Sequence, residues 1–291
     1  MAGSQRLDEW IRSGETRALA GHRIFVRTAA TPGLPALLLI HGYPTASYDW
    51  HRVWTRLAAR YSLYACDMLG FGMSDKPRSS DYPIALQADI CQALLDDFGI
   101  ASAHVLAHDY GDTVAQELLA REREGRLRLQ STCFLNGGLF PETHRARTVQ
   151  KLLATPVLGT LLARTMSYRK FESTMLSISG RQPPSREELG DLWVLVERDG
   201  GRQALARLIN YMEQRRANRE RWVGALVESR VPLRLICGSV DPVSGAHLAD
   251  RYREVVPDPD VVLLDGVGHY PQLEDPDRVL DAYFAFRARI S

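Results

Sequence analysis

Ala103-His-Val-Leu-Ala-His108-Asp109-Tyr110-Gly111-Asp112-Thr-Val-Ala-Gln-Glu-Leu-Leu-Ala-Arg121 is the stretch on which the fold turns. A short apolar run with strand character meets Asp-Tyr-Gly and passes at once into a segment of helical period, so it predicts strand, sharp turn, helix. Ala107, His108, Asp109, Tyr110 and Gly111 fill the five places of the nucleophile elbow usually written G-x-S-x-G, with aspartate where serine would stand. The plainer alternative is an Asp that only caps the helix it precedes.

Outward from this point the same rhythm repeats. Apolar runs at 22–28, 36–40, 62–67, 103–108, 131–136, 232–238 and 261–265 alternate with helix-like stretches near 46–59, 84–98, 111–123, 245–255 and 275–288. That alternation predicts an α/β fold with a mainly parallel, doubly wound sheet. It breaks between Pro141 and about Arg230, where helical patterns continue without a convincing strand. Residues 1–140 and 230–291 are therefore read as the core and 141–229 as an inserted helical cap over the carboxyl edge of the sheet, where open α/β sheets bind ligands. Within the insertion, Ser185-Arg-Glu-Glu188 reads as a capping box, and Leu205, Leu208, Tyr211 and Met212 share one helical face.

Two further residues complete a constellation. Cys237-Gly-Ser-Val-Asp241-Pro closes one strand and Asp265-Gly-Val-Gly-His269-Tyr-Pro follows the last, so Asp109, Asp241 and His269 each fall at the end of a separate strand in the chain order this fold uses. Taken singly, Asp241 is a turn Asp before Pro and His269 a loop His. Serine attacking a saturated carbon would leave an inert ether, whereas a carboxylate leaves an ester that water can cleave. Asp109 is thus the candidate nucleophile, His269 the base that activates water, and Asp241 its partner. His41-Gly-Tyr43-Pro follows the strand at 36–40, which makes the backbone N–H groups of Tyr43 and Tyr110 the candidate oxyanion donors.

The bulk properties exclude several classes. In 291 residues, 36 Lys plus Arg against 35 Asp plus Glu leave a charge of +1, so no field gathers nucleic acid or anionic lipid. No signal peptide or membrane span is read, which predicts a cytoplasmic protein, and the sequence leaves a homodimer open. Cys66, Cys91, Cys133 and Cys237 lie far apart in mostly apolar runs and read as small buried hydrophobes. The eight His residues form no metal-ligand spacing, so neither metal nor cofactor is expected. A small, mostly apolar substrate is.

His41-Gly-Tyr-Pro-Thr-Ala-Ser-Tyr-Asp-Trp50, Asp67-Met-Leu-Gly-Phe-Gly-Met-Ser-Asp-Lys-Pro77 and His108-Asp-Tyr-Gly111 together resemble the epoxide hydrolase and haloalkane dehalogenase branch of the α/β-hydrolases. Asn136-Gly-Gly-Leu-Phe-Pro-Glu-Thr-His-Arg145, Arg221-Trp-Val-Gly-Ala-Leu226 and His269-Tyr-Pro-Gln-Leu-Glu-Asp275 look like the mesoderm-specific transcript proteins of animals. The resemblance implies the same triad and a lid, and leaves the leaving group open. Dehalogenases of this branch hold halide with an Asn in H-G-x-P and a Trp after the nucleophile; here Tyr43 and Tyr110 stand there, leaving Trp193 or Trp222 as substitutes. Epoxide hydrolases protonate the departing alkoxide with lid phenols, for which Tyr211 and Tyr168 are the candidates. Epoxide hydrolysis to a diol is the first expectation and haloalkane dehalogenation the second. Another small or lipid substrate, or a non-catalytic binding protein on the same fold, remain alternatives. The run Arg215-Arg-Ala-Asn-Arg-Glu-Arg221 is read as a solvated helix face.

Overall fold

The computed structural model describes residues 3–143, 145, 152, 155, 159 and 163–290. The strands are β1 Gly14–Leu19, β2 His22–Ala29, β3 Ala36–Ile40, β4 Ser62–Cys66, β5 Ala103–His108, β6 Leu129–Leu135, β7 Leu233–Gly238 and β8 Val261–Leu264. They form one sheet in the order β1-β2-β4-β3-β5-β6-β7-β8, antiparallel at β1/β2 and β2/β4 and parallel from β4 onward. This is the α/β-hydrolase fold. Strands β4 and β5 are buried along their whole length, as expected of near-continuous apolar runs covered on both faces.

Around the sheet lie α1 Gln5–Arg12, α2 Trp54–Ala58, α3 Ile84–Asp97, α4 Tyr110–Arg123 and, after the insertion, α10 Ala246–Val255, α11 Pro271–Glu274 and α12 Pro276–Ile290. Between β6 and β7 the described insertion is helical: α5 Tyr168–Ile178, α6 Arg186–Glu197, α7 Gly201–Leu208, α8 Tyr211–Ala217 and α9 Arg219–Val227. Most of 144–162, the first part of the expected cap, lies outside the described residues. The capping box at the start of α6 is present in both directions between Ser185 and Glu188. All four cysteines are buried thiols.

Two features escape the sequence reading. Strand β1 forms an edge hairpin with β2 through Ala20 and Gly21, at φ 48° and 81°. A pair of positive φ values suits the two-residue turns that follow the strand twist, but the usual Asn-Gly signal is missing. The face read through 205–212 is also not one helix: α7 ends at Leu208 and α8 begins at Tyr211. Leu205, Leu208 and Tyr211 are nevertheless all buried.

The parallel strands point their carboxyl ends the same way. Asp109 leaves β5 directly, Asp241 follows β7, and His269 follows β8, so three chain-distant residues arrive at one edge.

Candidate active site

Asp109 sits between β5 and α4 at φ 49° and ψ −106°. For a residue with a Cβ this conformation costs on the order of 1–3 kcal/mol and persists only where its surroundings over-determine it. The constraints are visible. The Asp109 N–H donates to the Leu135 carbonyl (3.1 Å), and the following turn packs so closely on β3 that a Cβ on Gly111 would lie 2.4 Å from the Ile40 carbonyl oxygen. The Asp109 side chain makes no capping bond to its own helix, which removes the simple helix-cap alternative.

Instead the carboxylate turns toward Tyr43 and His269. Oδ2 accepts the Tyr43 backbone N–H at 2.9 Å, and Oδ1 lies 3.8 Å from His269 Nε2, beyond hydrogen-bond range. One oxygen is thus held by a backbone N–H, while the other makes no hydrogen bond to His269. Tyr110, the other expected backbone donor, is the first residue of α4, directly after Asp109.

His269 Nδ1 donates to Asp241 Oδ2 at 2.8 Å. The same oxygen accepts Asn136 Nδ2 (3.0 Å) and the Ser244 hydroxyl (2.9 Å), while Oδ1 accepts the Val243 N–H (2.7 Å). Burial alone would push the Asp241 carboxyl up, but the imidazole and these donors pull it below the ordinary carboxylate value. Burial alone would likewise push His269 down; the carboxylates of Asp241 and Asp109 outweigh it and raise the imidazole to about 9.

The loop carrying His269 is held from several sides. Glu274 accepts the N–H groups of Gly180 (2.6 Å), Gly268 (2.8 Å) and Tyr270 (3.0 Å), and the His269 N–H donates to the Ile178 carbonyl (2.9 Å). His108 donates from Nε2 to the His269 carbonyl at 2.8 Å, and burial, with His269 beside it, lowers its own imidazole to about 4, so it is neutral at pH 7. Asn136, Ser244, Glu274 and His108 were not among the site residues expected from the sequence. The signals that could have found them are position and resemblance: Asn136 directly follows β6, and Asn136, Glu274 and His108 all stand in the motifs that carry the family resemblance.

The remaining candidates separate. Tyr211 is fully buried, its ring 5.2 Å from that of Tyr110 and 5.9 Å from that of Tyr43, centroid to centroid, so it packs against the two residues whose backbones flank the Asp109 carboxylate in the expected site. Tyr168 does not join it: its hydroxyl donates to Glu172 (3.2 Å) and to the Arg186 carbonyl (3.3 Å) between α5 and α6. Trp222 commits its indole N–H to Glu117 at 2.9 Å, and Trp193 packs on Phe171 inside the insertion. The solvated reading of the Arg run is corrected at two residues. Arg215 is 2% exposed and bonded to the elbow region, and Arg221 pairs with Glu117 at 2.7 Å, because acceptors on α4 face this segment.

Removing the Asp109 charge should be felt at His269. We expect Asp109→Ala to move the imidazole down from about 9, since Asp109 is one of the charges holding it up. NMR titration of the ring protons checks this; an unchanged midpoint would separate the two residues electrostatically.

Among the described residues no group of His, Cys, Asp and Glu could hold a metal ion, and no helix is long and apolar enough to cross a membrane. Residues 37–282 match the model of the Alpha/beta hydrolase family. The mesoderm-specific transcript homolog protein of Homo sapiens is 42% identical, over 97% of this chain and 88% of that protein. Among solved structures, a loop variant of the haloalkane dehalogenase DbeA from Bradyrhizobium elkanii superposes with a TM-score of 0.80 at 24% identity, covering 96% of this chain and 97% of that one. The epoxide hydrolase CorEH gives 0.80 at 19% identity, covering 96% and 99%.

Proposed function

Since the chain belongs to the alpha/beta hydrolase family, we propose that it hydrolyses its substrate through a covalent ester on Asp109, and that the substrate is a small, mostly apolar epoxide opened to a diol. The observation that carries this reading is the Asp109 carboxylate at a strained elbow, with Oδ2 on the Tyr43 N–H at 2.9 Å and Oδ1 near His269 Nε2 at 3.8 Å.

In the first step Asp109 Oδ1 attacks a ring carbon, the C–O bond breaks, and the departing oxygen takes a proton from the Tyr211 phenol. In the second, His269 Nε2 takes a proton from water, which attacks the carbonyl carbon of the ester. The resulting oxyanion is held by the N–H groups of Tyr43 and Tyr110. Collapse breaks the ester C–O bond, the carboxyl proton of Asp109 passes to the departing diol oxygen, and the cycle ends with the Asp109 carboxylate restored and His269 protonated, as at the start.

The histidine changes state between the steps for an electrostatic reason. With Asp109 ionised, the imidazole is raised to about 9 and is protonated at neutral pH. Esterification neutralises Asp109 and removes one of the charges that raise it, so the imidazolium gives up its proton, which restores the Tyr211 phenol, and the neutral ring then accepts a proton from water in the second step. The helices between β6 and β7 act as a cap that brings Tyr211 against the rings of Tyr43 and Tyr110, and with Phe71 these rings give the surroundings of Asp109 an aromatic character that suits an apolar substrate.

Epoxide opening is preferred to dehalogenation on the leaving-group side. A halide needs N–H donors, and of the two tryptophans that could replace the missing ones Trp222 is already bonded to Glu117 while Trp193 packs on Phe171 within the insertion. An alkoxide needs an acid, and Tyr211 stands beside Tyr43 and Tyr110. Tyr211→Phe should therefore slow diol formation from styrene oxide by about 10²-fold, the lower end of what general acid catalysis contributes. Bromide release from 1-bromobutane, tested in parallel, should be unaffected or absent. Equal loss on both substrates would make Tyr211 a packing residue.

A further inference from the structure

The insertion sends one cation to the nucleophile itself. Arg215, on α8, is 2% exposed; its Nε donates to the Thr113 hydroxyl at 2.6 Å and its Nη2 to the backbone carbonyl of Asp109 at 3.2 Å. The guanidinium carbon lies 4.4 Å from the Tyr211 ring centroid, and a Cβ on Gly138 would come within 2.0 Å of Nη1. The glycine thus reserves the space that the arginine fills. Nη1 is buried and meets no hydrogen-bond acceptor among the described residues.

A positive charge at the first turn of α4 opposes the helix dipole, and burying it is unfavourable as well. The buried carboxyl of Asp112, in the same turn, offsets part of this cost through its attraction to Arg215, but it does not account for the bond that Arg215 makes to the Asp109 carbonyl. The strained backbone of Asp109 does. Its N–H is fixed by Leu135, its carboxylate by Tyr43, and its carbonyl by the Asp112 N–H, all from the core. Arg215 adds the only side-chain bond to that carbonyl among the described residues, and it comes from the insertion. We propose that Arg215 is a positioning residue, holding Asp109 in its attacking conformation so that the nucleophile is in register only when the insertion is docked. The claim about rate rests on the Asp109 ester reading; the claim about geometry does not.

The test measures ester formation in the His269→Gln background by mass spectrometry after mixing with styrene oxide or 1-bromobutane. Arg215→Met should slow the single-turnover rate by about 10²-fold, as expected for a nucleophile displaced by roughly 1 Å, with the half-saturating concentration little changed. Arg215→Lys, which can reach one of the two acceptors, should recover part of the rate, and Thr113→Val should lose part of it. Should Arg215→Met not fold, those two variants carry the test. In a second arm, a crystal structure of Arg215→Met, or of Arg215→Lys in its place, should show the Tyr43 N–H to Asp109 contact lengthened beyond hydrogen-bond range. An unchanged rate, a loss confined to the half-saturating concentration, or an elbow unaltered in the crystal overturns the proposal. If the His269→Gln parent forms no adduct with a substrate that the native protein turns over, the ester reading fails, and the crystal structure alone decides the role of Arg215.

Discussion

His269→Gln is expected to stop the reaction half-way, leaving an ester on Asp109 and reducing steady-state turnover by at least about 10³-fold. The reason lies in which step needs the imidazole. Attack by Asp109 requires only an ionised carboxylate, and its Oδ1 is not hydrogen-bonded to His269, at 3.8 Å. Water, by contrast, must lose a proton before it can attack the ester, and an amide at position 269 cannot take it. One equivalent of substrate per protein should therefore add to the peptide containing Asp109, with a mass equal to the whole epoxide. A native-protein experiment gives an independent reading. Because water attacks the ester carbonyl, a single turnover in oxygen-18 water should label Asp109 and leave the first diol unlabelled. Label appearing first in the diol would mean that water attacks substrate directly, with Asp109 as a base. No adduct in the variant, for a substrate that the native protein hydrolyses, would count equally against the mechanism.

How much of this was legible beforehand depended on whether the signal was local. Asp109, Asp241 and His269 could be read because each follows its own apolar run and is flanked by turn residues, and the parallel sheet then does the convergence. Tyr43 was legible for the same reason, following β3 directly. The insertion behaved otherwise, since side-chain direction there is set by contacts with distant segments. Tyr168 has the right chemistry but faces Glu172 and Arg186, and Tyr211 is singled out only through the lid phenol that the family resemblance implies. Arg215 was misjudged because the local pattern, four arginines within seven residues, is that of a wet surface. What buries it is the acceptor pair on the Asp109 turn and the space at Gly138, more than seventy residues earlier in the chain.

Asp241→Asn should cost about 10⁴-fold in turnover while leaving the fold intact. Every group facing the Asp241 carboxylate is a donor: His269 Nδ1–H, the Asn136 amide, the Ser244 hydroxyl and the Val243 N–H. A carboxylate accepts from all four. An asparagine must present its own NH2 to at least one of them, and the least costly relief is for His269 to change tautomer, moving its proton to Nε2. That nitrogen is the one that must accept the proton of water, so ester hydrolysis should fail more severely than ester formation, and the adduct should accumulate as it does in His269→Gln. The substitution should also alter stability in a pH-dependent way. The native imidazole is raised to about 9 from an ordinary value of 6.5, so its attraction to Asp241 contributes fully below about pH 6.5 and fades as pH rises through about 9. Thermal unfolding of the two proteins compared from pH 6 to 10 should therefore show a gap that narrows toward the alkaline end. A gap that stays constant, or widens with pH, would mean that the His269–Asp241 contact is not the charged interaction described here.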